Sequence, residues 1–297
     1  MNRIARFIRK SAEEKRITIR YFIRLALFKL PFVPNRVRFT IGAGRELRVW
    51  WSYVCHVDRP DRRFTAYWGD DCAELQFLWQ FLEPGMVFFD VGAYHGIFSV
   101  LAAAKLSSRG QVIAFEPSPR ERRRFNLHVR MNRLRKVRLE PYAVSARSGR
   151  MKLFTVAGGY ASMNSLKPPE VTAPVHEIEA EVVSIDEYLA PRKQMRMDIM
   201  KIDVEGGELE AFRGARQTFH ALRPIIICEV LDYVTRPWGY PACEIIRCLC
   251  EQDYVWFDFH ADGRISPHEI RSEYPEIRNY LAVPREKLPL VSRWRHE

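Results

Sequence analysis

The sequence predicts an α/β fold built on a doubly wound, mostly parallel sheet of seven strands. Three observations point there. Strand-sized apolar runs alternate with helix-sized segments from residue 86 to residue 283. The strand runs are apolar nearly throughout, as in strands covered on both faces. The first run also ends in Asp90-Val91-Gly92-Ala93-Tyr94-His95-Gly96, a tight turn into a helix, where such sheets take ligands.

The elements follow in order. Residues 1–34 read as a basic amphipathic arm closed by Pro31 and Pro34. Residues 35–83 read as an N-terminal β/α cap. In it VRFTI (37–41) and ELRVWW (46–51) flank Gly42-Ala43-Gly44, a hairpin signal, and Asp71 with Glu74 forms a capping box for a helix over 72–82. The dense aromatics of 50–81 are cap core or a stacking surface. Residues 84–297 form the main domain. Its strands are MVFFDV (86–91), VIAFE (112–116), VRLEPYAV (137–144), MDIMKID (197–203), IIICEV (225–230), YVWFDF (254–259) and NYLAV (279–283). Its helices cover 96–106, 119 to about 132, 206–220 and 243–252, and Ser118, Pro119 and Glu121 supply N-cap, N1 and N3 of the second. Residues 157–181, rich in Gly, Pro and polar residues, read as one long irregular loop.

The composition, 47% apolar and 28% charged, excludes a disordered or low-complexity chain. The net charge of +11 is uneven: residues 1–40 hold eleven basic residues against two acids, so the remainder is nearly neutral. A near-neutral body is not built to track a polyanion, and no nucleic-acid partner is expected. The six cysteines form no CxxC pair and read as reduced thiols. YFIRLALFKLPFV (21–33) is too short and too charged to span a bilayer or serve as a secretion signal, so a cytoplasmic protein is expected. The arm itself has three readings: a solvated extension, a peripheral contact with an anionic membrane, or a nucleic-acid tail.

Chemistry-bearing residues follow the strands. Gly92 and Gly96 let the backbone approach a ligand, and the helix behind them favours an anionic group. Glu116, twenty residues beyond Gly96, ends the second strand, where a carboxylate can accept both hydroxyls of a ribose. Alternation along the fourth strand puts Lys201, Asp203 and Glu205 on one side, beside Gly206-Gly207. Glu229 is either a further site group or a strand terminus. The turn is not GxGxxG, which counts against a nicotinamide-dependent oxidoreductase.

The runs FFDVGAYHGIFSV, AFEPSPRERRRFNLHVRMN, VSIDEYL, DIMKIDVEGGELEAFRGA and RPIIICEV resemble the FkbM family of S-adenosylmethionine-dependent methyltransferases. The resemblance implies the class I, Rossmann-like methyltransferase fold, S-adenosyl-L-methionine as cofactor, and O-methylation of a sugar, glycolipid or secondary metabolite. It places Asp90, Gly92, Ala93 and Gly96 at the methionine end of the cofactor, Glu116 at the ribose and Ala143 in the segment that meets the adenine. Asp203, Glu205 and Gly206 match the signature beside the transferred methyl. The chain departs from the usual pattern at Tyr94, at His128 and in AVSARSG (143–149). Displacement at a sulfonium is an in-line reaction, and an alcohol gains from a nearby base, for which Asp203, Glu205 and His95 are the candidates. Paired carboxylates suit Mg²⁺, but no His-rich or third-acid pattern accompanies them and no metal is expected. The partner implied is a hydroxylated small molecule, glycan or lipid-linked acceptor. A nucleic-acid methyltransferase is the alternative within the same cofactor class.

Overall fold

The structure, a computed structural model, describes residues 36–41, 45–50, 73–192, 195–260 and 262–296; for 36–41, 45–50 and 158–160 it describes the backbone alone. The basic arm, the hairpin turn at 42–44, Asp71 and most of the aromatic segment lie outside the described residues.

Strands β1 (Arg36–Ile41) and β2 (Arg45–Trp50) pair antiparallel, Arg36 opposite Trp50. Helix α1 (Ala73–Phe81) then leads to β3 (Val87–Val91), α2 (Ile97–Leu106), β4 (Gln111–Phe115), α3 (Pro119–Met131) and β5 (Val137–Glu140). After an excursion the chain returns through β9 (Ile199–Ile202), β10 (Ile225–Glu229), β11 (Tyr254–Phe259), β12 (Ile265–Pro267) and β13 (Asn279–Pro284). These strands form one eight-stranded sheet in the order β12-β11-β13-β10-β9-β3-β4-β5. β5, β4, β3, β9 and β10 run parallel, and β13 is antiparallel to both its neighbours. The eighth strand is β12, which the sequence reading left out; at three residues, with Pro267 at its end, it carries too little pattern to stand out.

The alternation of side chains sorts the core into two layers. Phe88, Val112, Ile227 and Leu281 pack with Leu75, Phe77 and Leu78 of α1 and with the alanine-rich α2. Phe89, Ile113, Phe115, Met200 and Ile226 pack on the other face with Phe212, Phe219, Ile246 and Leu249. All five residues of Ile225–Glu229 are buried, as a central parallel strand requires.

Two segments differ from the sequence expectation. VRLEPYAV is not one strand: β5 ends at Glu140, and β6 (Ala143–Val144) joins a second sheet, ordered β6-β8-β7, with β7 (Gly149–Val156) and β8 (Val175–Val183). The loop is therefore shorter than 157–181, because β8 takes up VHEIEAEVV, whose outward charges mask a period-2 pattern. The helix expected over 206–220 is two helices, Glu208–Arg213 and Arg216–Leu222. They part at Gly214, where a Cβ would come within 2.2 Å of the Ser145 carbonyl oxygen.

The chain runs from β3 outward to β5 and then crosses back to β9. The order reverses between β3 and β9, so the crevice at their carboxyl ends is the switch point.

Candidate active site

A cleft whose empty space, open solvent included, is about 550 Å³ lies at that point. Gly92 and Tyr94 follow β3, Glu116 and Pro117 follow β4, Tyr142 precedes Ala143 and Val144 of β6, and Asp203, Val204, Glu205 and Gly207 follow β9. Ser162, Asn164, Ser165 and Leu166 of the loop after β7 close one side, with Trp238 beside them. Of the expected site residues, Gly92, Glu116, Ala143, Asp203 and Glu205 share this wall. Asp90, Ala93, His95 and Gly96 stand behind it.

The glycines make room for the chain itself. Gly92 has φ +77°, and a Cβ there would sit 1.8 Å from the Asp203 carbonyl oxygen. Gly96 has φ +78°, and its Cβ would strike the Phe125 ring at 2.3 Å. They let the β3 turn lie against the β9 turn and against α3. Ala93 is buried with Ala114 and Phe125 and anchors the turn through its N–H to Phe115 O, 2.9 Å. Asp90 is buried and accepts from Ser99 Oγ at 2.6 Å; burial pushes its carboxyl up to about 6.

Glu116 is only 5% exposed. One carboxyl oxygen accepts the N–H of Tyr94 at 2.9 Å, the other that of Ser118 at 2.8 Å. Tyr94 has φ +49°, rare for a tyrosine, and this bond helps hold it there. Burial pushes the Glu116 carboxyl up to about 8, against the two N–H bonds that favour its ionised form.

His95 does not reach the cleft wall. Its Nε2–H donates to Glu121 at 2.8 Å, and its ring stacks on Tyr94 at 3.7 Å. Burial lowers the affinity of His95 for a proton, and Glu121 opposes this only in part. His128 Nδ1–H donates to the His95 carbonyl at 2.7 Å, and burial pulls His128 down to about 3, so it is neutral. The capping box on α3 is not formed: the Ser118 side chain makes no cap bond, and Glu121 turns to His95 and Arg120 instead.

Past β9 lies a cluster of acids around one buried cation. Lys201 is 2% exposed and donates to Asp203 at 3.0 Å, the shared side that alternation predicted. Burial opposes the Lys201 charge, but Asp203 and Glu229 outweigh it and raise the group. Burial, then Glu229 and Asp203, lift the Glu205 carboxyl well above the usual range, and burial and Asp203 lift Glu229. Glu208, pushed up by burial to about 7, accepts from the Val204 N–H at 2.8 Å and fixes the turn. Glu205 has φ +55°, and its carbonyl accepts from Ser165 Oγ at 2.9 Å and Trp238 Nε1 at 3.2 Å. Ser165 and Trp238 were not legible in the sequence; the Gly206-Gly207 pair was the signal that something presses on this turn. Among the described residues no group of three or more His, Cys, Asp or Glu is arranged to hold a metal ion.

Among the described residues three carboxyl groups line the cleft, Glu116, Asp203 and Glu205, and neither Lys nor Arg does, so it suits a ligand with hydroxyls to donate. The description Methyltransferase FkbM domain matches residues 90–286. Among solved structures, a methyltransferase FkbM from Methylobacillus flagellatus KT is 14% identical, with 67% of this chain and 43% of that one covered at a TM-score of 0.43. The chain thus spans less than half the length of that protein. Aeropyrum pernix fibrillarin, in complex with natively bound S-adenosyl-L-methionine, is 15% identical over 85% of each chain at a TM-score of 0.43. A putative SAM-dependent methyltransferase from Streptococcus mutans is 14% identical over 84% of this chain and 55% of that one, TM-score 0.44. No curated protein matches the sequence. The domain match takes in about two thirds of the chain and every wall of the cleft, so the chain belongs to the FkbM family of S-adenosylmethionine-dependent methyltransferases.

Proposed function

We propose that the enzyme methylates a hydroxyl of a sugar, glycolipid or secondary metabolite. The observation that carries this is Glu205, a half-buried carboxyl that faces the cleft beside Asp203. S-adenosylmethionine, when bound, supplies an electrophilic methyl on a cationic sulfonium. The residues present fit that group: Glu116 offers acceptors to a ribose, Tyr142, Ala143 and Val144 offer an apolar wall to an adenine, and the acids past β9 match a positive charge. A nicotinamide dinucleotide or a nucleic-acid strand would bring phosphates to the same carboxylates, which argues against both alternatives.

Asp203, tied to Lys201, orients the site. Glu205, facing the cleft beside Asp203, takes the hydroxyl proton as general base. His95, held by Glu121 behind the wall, serves the turn and not proton transfer. The test is incubation of the enzyme with S-adenosylmethionine and a panel of hydroxylated acceptors, with products placed by mass spectrometry and NMR. The reading expects methyl on oxygen and a Glu205→Gln loss of about 10²–10⁴ in rate. Methyl on nitrogen or carbon, or a wild-type rate for Glu205→Gln, overturns it.

We place the enzyme in the cytoplasm, with the basic arm as a peripheral contact to an anionic membrane that carries lipid-linked acceptors. Among the described residues no helix is long and apolar enough to cross a membrane. Liposome recovery with and without residues 1–34 tests the arm; equal recovery eliminates the contact.

A further inference from the structure

Charge is uneven in the body of the chain as well as in the arm. Residues 120–138 hold nine basic residues against one acid, Glu121, so the rest of the chain beyond residue 40 is net acidic. The segment is α3, the turn after it and the first part of β5, which is an edge of the eight-stranded sheet. Glu121, Phe125 and His128 pack inward, whereas Arg120, Arg123 and Arg130 are exposed. Arg133, Arg135, Lys136 and Arg138 continue the exposed cations past the helix. Arg120 pairs with Glu121 and Arg138 with Glu140; among the described residues Arg130, Arg133, Arg135 and Lys136 have no ion pair. Arg133 and Lys136 also sit at φ +51° and +61°, where Gly or Asn is the favoured residue. Charges on an edge strand guard it against pairing, which accounts for Arg138 but not for the cations of the helix and its turn.

Two features choose what this face meets. It has no ring among its cations, because Phe125 and His128 are buried. A nucleic-acid strand is held by stacking on exposed rings as well as by charge, whereas an anionic bilayer is held by clustered cations. The second feature is continuity with the arm. The β1–β2 hairpin follows the arm at Arg36, and β2 lies against α3. In the arm Phe7, Ile8, Phe22 and Ile23 are interspersed with cations, the pattern of an interfacial anchor. Pro117 of the cleft wall stands two residues before α3, so a surface held by α3 borders the cleft.

We propose that the exposed cations of α3 and of the turn after it dock the folded body on an anionic phospholipid bilayer. This rests on the membrane reading above for its partner and adds a contact separate from the arm.

The test is co-sedimentation of the full-length enzyme with vesicles of phosphatidylcholine alone and of phosphatidylcholine with phosphatidylglycerol. Binding to the second only, weakening as salt rises, is expected. The triple variant Arg130→Gln, Arg133→Asn, Lys136→Asn, whose asparagines suit the left-handed positions, should bind the anionic vesicles about a hundredfold more weakly. Its S-adenosylhomocysteine affinity, read by calorimetry, should stay at the wild-type value. Arg123→Gln with Arg135→Gln, on the same face, should lose about tenfold or more and decides if the triple variant fails to fold. Wild-type binding of the anionic vesicles by both variants overturns the proposal. So does a wild-type enzyme that ignores both vesicles but binds poly(U), and loses it in the triple variant; the face then belongs to RNA. Removal of residues 1–34 is read separately. A truncated chain that still binds anionic vesicles as the full chain does, and loses them with the triple substitution, ends the arm reading and supports this one. A truncated chain that no longer binds, beside a full-length triple variant that binds as wild type, ends this one and leaves the arm reading.

Discussion

Replacing Glu116 by Ala separates two roles of one carboxylate. In the free protein it satisfies the N–H groups of Tyr94 and Ser118, at 2.9 and 2.8 Å, in a buried setting. Each donor left without an acceptor costs about 1–3 kcal/mol, and release of a buried carboxyl offsets part of that. A net loss of about 2 kcal/mol lowers the melting temperature by about 4–8 °C for a domain of this size. Cofactor binding should suffer separately. The ribose hydroxyls lose their acceptor, and about 1–3 kcal/mol is a fall of about 5- to 150-fold in affinity for S-adenosylhomocysteine. Calorimetry on the folded variant reads this, with Glu116→Gln, which keeps one acceptor oxygen, falling between the two. The wild-type carboxyl is pushed up to about 8, so its ionised fraction grows as pH rises through that value. If the hydroxyls need the ionised form, wild-type affinity should rise between pH 6 and 9 and that of Glu116→Gln should stay flat. An Ala variant that is folded and binds within twofold of wild type would refute the assignment of Glu116 to the ribose.

Other variants probe the turns. Asp203→Asn should keep S-adenosylhomocysteine affinity and lower turnover about a hundredfold through loss of alignment, and wild-type turnover would remove Asp203 from the reaction. Lys201→Met should cost about 3–5 kcal/mol, because the acids past β9 lose their one buried counter-ion. Its pH dependence has a definite sign. Glu205, Glu208 and Glu229 are already raised in the folded state, and more so without Lys201. Stability is therefore full below the unfolded carboxylate pKa and lost as pH rises past it. The melting temperature of Lys201→Met should fall more steeply than that of wild type from pH 5 to 8; parallel curves would contradict the electrostatic account. Gly92→Ala places a Cβ 1.8 Å from the Asp203 carbonyl at a φ of +77°, so it should fail to accumulate as folded protein, and normal expression and melting would show that the two turns do not touch.

The sheet was legible because its strands are apolar on both faces: VFFDV and IIICE can be little else at that length. Glu116 and Asp203 were legible because strand ends in such a sheet converge at the switch point. What the sequence concealed has physical reasons. β8 alternates glutamates with small apolar residues, and its charges face solvent, so it resembles a polar loop. The spacing Ser118-x-x-Glu121 fits a capping box, yet the buried imidazole of His95 offered the glutamate a stronger partner than a backbone N–H. Gly92, Gly96, Gly206 and Gly207 look alike in sequence; only the packed chain shows that the first pair admits neighbouring backbone and a phenyl ring, and the second the Val234 carbonyl and an indole. Trp238 comes from a segment with no pattern of its own, and its role depends on a carbonyl thirty-three residues earlier.

A crystal structure of the complex with S-adenosylhomocysteine decides whether the two glycine turns and the three cleft carboxylates make one cofactor site. The ligand should lie along β3 and β4, with its ribose hydroxyls bonded to Glu116 and its sulfur beside Asp203 and Glu205. Density in another part of the molecule, with Glu116 still bonded only to Tyr94 and Ser118, would contradict it.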